Sequence, residues 1–443
     1  MITIVPISKA YASMGQKSLP ISLTNSNGYF ASVHYSGSMI FYEQYLRESA
    51  VPKEVIDVFL AQSEPTWSQF DSEVGYRLGS SLPHDGLDGS WTISSCQANG
   101  ARTARQYTAR PCRINTYGNS FTQCHQVSDG ETWQEYLAAH LGEPVRNFGM
   151  GGYGVYQAYR RMIRTERSPD GVKNVVFYLW GDDHCRSIMR CRYATIYRGW
   201  KHLHGAMFHA NFWANLELDF NTGQFVEKEN LLATPESLYR MTDPAFLVHA
   251  LRDDLMVQLY VAGMVDHATL DLERLNALAD LLQVPGLETG TPEQLSASAY
   301  RLRNAYGFAA TRRILDLTAE FCRQHGKKLL VVLFCPTAMW ELLSGKPRYD
   351  QTIADYLNEQ EYPYFDMNLV HLRDFQSFNL SIENYLKRYF IGHYSPAGNH
   401  FFAYSIKDTL VQWLNPKPIT YRDDGSRLID FEGYLPSRMG LEK

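Results

Sequence analysis

The sequence predicts an α/β layered fold built on a mostly parallel sheet. Three observations lead there. From Cys112 onward, short apolar runs alternate with segments of helical spacing, the pattern of parallel strands joined by crossover helices. Two of those runs, KNVVFYLW (residues 173–180) and KKLLVVLFCP (327–336), are almost continuously apolar, as a strand buried on both faces must be. The chain of 443 residues, 45% of them hydrophobic, suffices for a large core. That core would form two or three domains, or one domain carrying large insertions.

Along the chain, residues 1–112 read as an N-terminal accessory region with short strands. It holds a helix over 42–62 interrupted near Pro52, then a Gly-rich stretch over 75–102 whose turn chemistry suggests short strands and hairpins. The first part of the core is expected over 113–185. There RINTYG (113–118) is a strand. ETWQEYLAAHLG (131–142) is a helix that Gly142 stops. PVRNFGM (144–150) is a strand, 155–166 a helix, and 173–180 the first buried strand. Residues 186–310 are too long to be a structureless loop and are rich in helix formers. They are expected to form a mainly helical cap, broken by a hairpin turn at DFNTGQ (219–224). The core resumes over 311–416 with a helix to Gly326, the second buried strand, a short strand at PYFDM (363–367) and a terminal helix over 395–414. Residues 417–443 are a tail.

Composition excludes several functions. The net charge is -5 and the charges are mixed along the chain, so there is no clustered basic face for nucleic acid. The basic runs RRMIRTER and RSIMRCR read as solvated faces or anion contacts. No apolar stretch is long enough to span a membrane, and the N-terminus lacks the basic region of a secretory signal. The seven cysteines (96, 112, 124, 185, 191, 322 and 335) are odd in number and scattered. They suggest reduced thiols and a cytoplasmic protein. His184 with Cys185 and Cys191 fits no standard zinc spacing. No metal or cofactor is expected, and the sequence does not fix an oligomeric state.

In doubly wound folds, ligands sit beyond the carboxyl ends of the strands. Four segments lie at such places: YGNSFTQCHQ (117–126), NFGMGGYG (147–154), WGDDHCRS (180–187) and, before the last helix, IGHYSPAGNH (391–400). A lone Gly-Asn-Ser is an ordinary polar turn. A nucleophilic serine needs a base and oxyanion donors, which distant loops can supply. The ordered set resembles the SGNH/GDSL hydrolases, a family of esterases, lipases and carbohydrate acetylesterases. The resemblance covers about 113–184 and 327–414. It implies a three-layer α/β/α sandwich with a flavodoxin-like core. It implies Ser120 as nucleophile and His393 as general base, with His400 the runner-up. The backbone N–H groups of Ser120 and Gly152 would be oxyanion donors.

Three positions depart from the family pattern. Its Gly-Asp-Ser is Gly-Asn-Ser here, with Asn119 able to keep a turn-stabilising hydrogen bond. Its oxyanion asparagine aligns with Asp183, which donates only if burial keeps it protonated. Its orienting aspartate, two or three residues before the histidine, is replaced by Phe390 and Ile391. A backbone carbonyl, or a carboxylate such as Asp182, Asp183 or Glu383, would have to orient His393. One reading is that an aspartate of the 180–187 segment does so, unless Asp182 and Asp183 bind substrate. The resemblance implies a serine hydrolase acting on a small-molecule or glycan ester through an acyl-enzyme. An O- or N-acyltransferase using the same pair, and an inactive binding module, are the alternatives.

Overall fold

The computed structural model describes residues 40–61, 68–192, 207 and 210–422. The extreme N-terminus, part of the 186–310 segment and most of the C-terminal tail therefore lie outside the described residues. The first described helices, Tyr42–Arg47 and Lys53–Leu60, are separated at Pro52, which sits at the N-cap of the second. A hairpin of β1 (Ser68–Asp71) and β2 (Gly75–Leu78) follows. Bridges between Ser81 and Ser94 and between Cys96 and Arg102 then shape the stretch expected to hold short strands.

The central sheet has five parallel strands: β3 (Ile114–Tyr117), β4 (Arg146–Asn147), β5 (Asn174–Leu179), and, after an intervening hairpin of β6 (Asn215–Asp219) and β7 (Gln224–Lys228), β8 (Lys328–Leu333) and β9 (Tyr364–Asp366). Their spatial order is β4-β3-β5-β8-β9. The chain leaves β3 toward one edge, then returns to build the other edge from β5. That reversal places a crevice beyond the carboxyl ends of β3 and β5.

Alternation along β5 and β8 explains why both read as apolar throughout. Val175, Phe177, Leu179, Leu329, Val331 and Leu333 face one cluster, with Tyr156 and Met162 of the helix Val155–Glu166 and Ile314 of the helix Pro292–Gln324. Val176, Tyr178, Leu330 and Val332 face the other, with Trp133 and Leu137 of Trp133–Leu141 and Phe402 and Ile406 of Pro396–Trp413. Helices thus cover both faces, and each fully buried large aliphatic side chain contributes roughly 1.5–3 kcal/mol.

Two expectations change. The strand read over 144–150 pairs only at Arg146–Asn147. Beyond it the Asn147 side chain accepts from Gly149 N at 2.9 Å and bends the chain into a loop. The helix read over 310–326 runs Pro292–Gln324, 33 residues capped by Thr291. Leu295, Ala299, Leu302 and Tyr306 continue its buried stripe, so the 310/311 boundary falls mid-helix. The hairpin turn at 219–224 is present, with Asp219 paired to Gln224. Helices Pro244–Leu251, Leu255–Val261 and Leu272–Leu281 fill much of the rest of the segment. Among the described residues no helix is long and apolar enough to cross a membrane, and the seven cysteines are free thiols.

Candidate active site

Ser120 opens a four-residue helix, Ser120–Gln123, directly behind β3. The turn into it needs Gly118, whose φ is +153° and where a Cβ would meet the Thr122 hydroxyl at 2.3 Å. Asn119 caps the helix by accepting from Phe121 N at 2.8 Å. Its amide donates to Asp183 Oδ2 at 2.5 Å, tying the end of β3 to the segment behind β5.

His393 arrives from a site 273 residues along the chain, with its Nε2 2.8 Å from Ser120 Oγ. It sits in a tight loop in which Phe390 bridges Tyr394 and Ile391 N donates to His393 O. Ser395 then caps the helix Pro396–Trp413. The imidazole packs against the Phe121 ring, with centroids 4.8 Å apart.

Gln126 orients that imidazole. Its Oε1 accepts from His393 N at 2.8 Å and lies 3.0 Å from His393 Nδ1. Its Nε2 donates to the carbonyls of Asp85 and Ile391 at 3.1 and 3.2 Å. A backbone N–H can only donate and a carbonyl can only accept, so these partners fix which end of the amide is oxygen. The proton of neutral His393 therefore lies on Nδ1, and the lone pair of Nε2 faces the serine hydroxyl. The close approach depends on Gly392, at φ +118°, where a Cβ would meet Gln126 Oε1 at 2.6 Å. Burial, with His125 adding to it, pushes the His393 imidazole down to about 3 against the pull of Asp85.

This geometry corrects the reading that an aspartate of the 180–187 segment orients His393. Both carboxylates are held elsewhere by Arg186, which reaches them from one turn along the helix. Asp182 takes Arg186 through both its oxygens, at 2.5 and 3.2 Å. Asp183, 2% exposed, accepts from Arg186 Nη1 at 2.9 Å and from Asn119. Glu383 is exposed on the first turn of Ile382–Tyr389. Burial pushes the Asp183 carboxyl up to about 8, with Arg186 opposing and Asp182 adding. Both Asp183 oxygens act as acceptors here, which argues against its use as an oxyanion donor.

The backbone N–H groups of Ser120 and Gly152 donate to none of the described residues. The Gly152 loop is pinned by neighbours on both sides: Tyr76 Oη donates to Gly151 O at 2.7 Å, Gly151 N to Gln123 Oε1 at 2.8 Å, and Arg192 Nη1 to Gly152 O at 3.2 Å. His400 is exposed and packs near Tyr136, away from Ser120. His184 is buried against Phe308, 2.7 Å from the Thr311 hydroxyl, and burial pushes its imidazole down to about 4. Among the described residues no group of three His, Cys, Asp or Glu side chains could hold a metal ion.

Sequence reasoning missed Gln126, His125 and Asp85. His125 Nε2 lies 3.1 Å from Asp85 Oδ2, and its ring centroid is 5.1 Å from that of His393. Burial opposes it, yet His125 and the Thr92 hydroxyl hold the Asp85 carboxyl below its usual range. A serine hydroxyl on an oriented imidazole, with unengaged N–H groups nearby, can support nucleophilic acyl transfer. No family model matches this chain, and a search of characterised proteins by sequence finds no match.

Proposed function

We propose that the protein is a serine hydrolase that cleaves an ester through an acyl-enzyme, on an SGNH-like α/β/α core with the 186–310 segment as a cap. The observation that carries this is the 2.8 Å contact of Ser120 Oγ with His393 Nε2, with Nδ1 fixed from behind by Gln126. Ser120 Oγ attacks the ester carbonyl and passes its proton to Nε2. The N–H groups of Ser120 and Gly152 receive the developing oxyanion, donors that need no reorganisation. Gln126 holds the ring in the productive tautomer without adding a charge. The polar groups that remain part-exposed near the pair, His125 among them, suit an acyl or acetyl ester of a polar or carbohydrate-like molecule.

The test is intact-mass spectrometry after treatment with a fluorophosphonate. Wild type should gain one adduct at Ser120, Ser120→Ala should gain none, and His393→Ala should react at least about 10²-fold more slowly. An unlabelled wild type would leave a binding module in place of an enzyme.

A further inference from the structure

Six arginines are buried among the described residues: Arg102, Arg161, Arg186, Arg192, Arg303 and Arg348. Five of them donate to a carboxylate or a carbonyl. Arg303 does not. It is 8% exposed, its Nε is sealed from solvent without an acceptor, and its other side-chain nitrogens bond to none of the described residues. A buried cation is costly unless it is paired and hydrogen-bonded. The fold nevertheless holds this one in a set position. Its Cζ lies 4.0 Å from the centre of the Tyr260 ring and 4.8 Å from that of Tyr300. These aromatic contacts offset part of the desolvation, but they leave the N–H groups along the guanidinium edge without acceptors. One turn along the same helix, Gly307 lies so close to Cys185 that a Cβ would meet Cys185 N at 3.0 Å. The helix Pro292–Gln324 therefore presses on the short helix Asp183–Arg186, and Arg303 O accepts from Cys185 Sγ at 3.7 Å.

The charges nearby do not supply the missing partner. Asp182 acts on Arg303 through space, but Arg186 takes both its oxygens, at 2.5 and 3.2 Å. Arg192 acts on Asp182 as well. Asp183 accepts from Arg186 and from Asn119. Three guanidinium groups thus meet two carboxylates, and the surplus cation is the one beside the tyrosines. We propose that Arg303 anchors an anion site where the helix Pro292–Gln324 packs on the segment behind β5, and that it takes the carboxylate or phosphate of a small molecule. A planar fork of N–H donors matches either oxyanion, and stacking on Tyr260 and Tyr300 sets its plane in advance. Away from bulk water each charge-assisted bond counts for more than it does on the surface. Asn119 ties the Asp183–Arg186 helix to the Ser120 turn, so the site stands one short helix from the serine. Binding there does not depend on the hydrolase reading and is measured without it.

Thermal melting of the full chain tests this, with inorganic phosphate and with succinate as probes, each set against sodium chloride of equal ionic strength. The Tm of wild type should rise saturably with at least one probe, and the effective probe identifies the anionic group the site prefers. Arg303→Met keeps an unbranched stem beside the rings and removes the charge. Without an anion it should melt no lower than wild type, because it removes an unpaired buried cation. Its apparent Kd for the effective probe should be at least about 30-fold weaker. Arg303→Lys keeps the charge but not the fork. It should weaken binding about 10-fold, and it keeps the test open if the methionine variant does not fold. A wild type that gains nothing from either probe beyond the chloride control would overturn the proposal. So would an equal gain in wild type and the variants, since the anion would then sit elsewhere. Neither result touches the hydrolase reading, which rests on the labelling of Ser120.

Discussion

At the scale of single residues, the neutral amide of Gln126 behind the His393 ring has a consequence for pH. A carboxylate behind the ring would stabilise imidazolium and raise the working range of the base. Gln126 accepts the same Nδ1 hydrogen bond but adds no charge, and burial and His125 hold His393 down to about 3. The base thus stays neutral, and able to accept a proton, well below the ordinary imidazole value of about 6.5. Fluorophosphonate labelling of Ser120 should fall off on acidification only below that value. Gln126→Glu should move the acid limb upward, because a negative charge favours the protonated ring. Gln126→Leu should slow labelling by about 10²- to 10⁴-fold, the range seen when an orienting partner is lost. A limb unmoved in Gln126→Glu would show that the amide does not control the ring.

At the scale of elements, the loop that carries His393 is anchored by a buried aromatic block. His371, fully buried in the helix Met367–Gln376, lies between the hydroxyls of Tyr385 and Tyr394 at 2.9 and 2.7 Å. Tyr394 directly follows His393. Burial pushes the His371 imidazole down to about 3, so the folded chain refuses a proton that the unfolded chain accepts below about pH 6.5. Stability is therefore whole above that pH and declines as pH falls from 6.5 toward 3, by up to about 1.36 kcal/mol per pH unit from this residue. His371→Gln should show a shallower acid decline in urea titrations at pH 7, 6 and 5, though with lower stability at pH 7. A parallel decline would remove His371 from the account. Elements of this kind differ in how far the sequence reveals them. β5 and β8 are legible because burial on both faces demands unbroken apolar runs. The two-residue β4 and the start of Pro292–Gln324 are not, because contacts with distant segments set those ends.

At the scale of the molecule, the parallel sheet could be anticipated from its apolar runs, whereas the meeting of Ser120 with His393 is foreshadowed only by the resemblance of the four segments to a known family, not by their local turn chemistry. The contact of Gln126 with His393 could not be anticipated. Gln126 contacts a residue 267 positions away, and an uncharged amide gives no signal to a search for an acid. The domain division reads differently once packing is visible. One buried cluster runs from the sheet through Val175 and Phe177 to Leu302 of Pro292–Gln324, Leu278 of Leu272–Leu281 and Val257 of Leu255–Val261. A continuous core has no internal boundary at which one part can unfold and leave the other packed. Leu302, fully buried, should then report on the whole molecule. Leu302→Ala should cost about 2–5 kcal/mol, and urea midpoints read by far-UV circular dichroism and by labelling of Ser120 should fall together. If the labelling midpoint stayed at the wild-type value while the dichroism split into two steps, the 186–310 segment would be an independent unit. The long helix would then be a tether between two bodies.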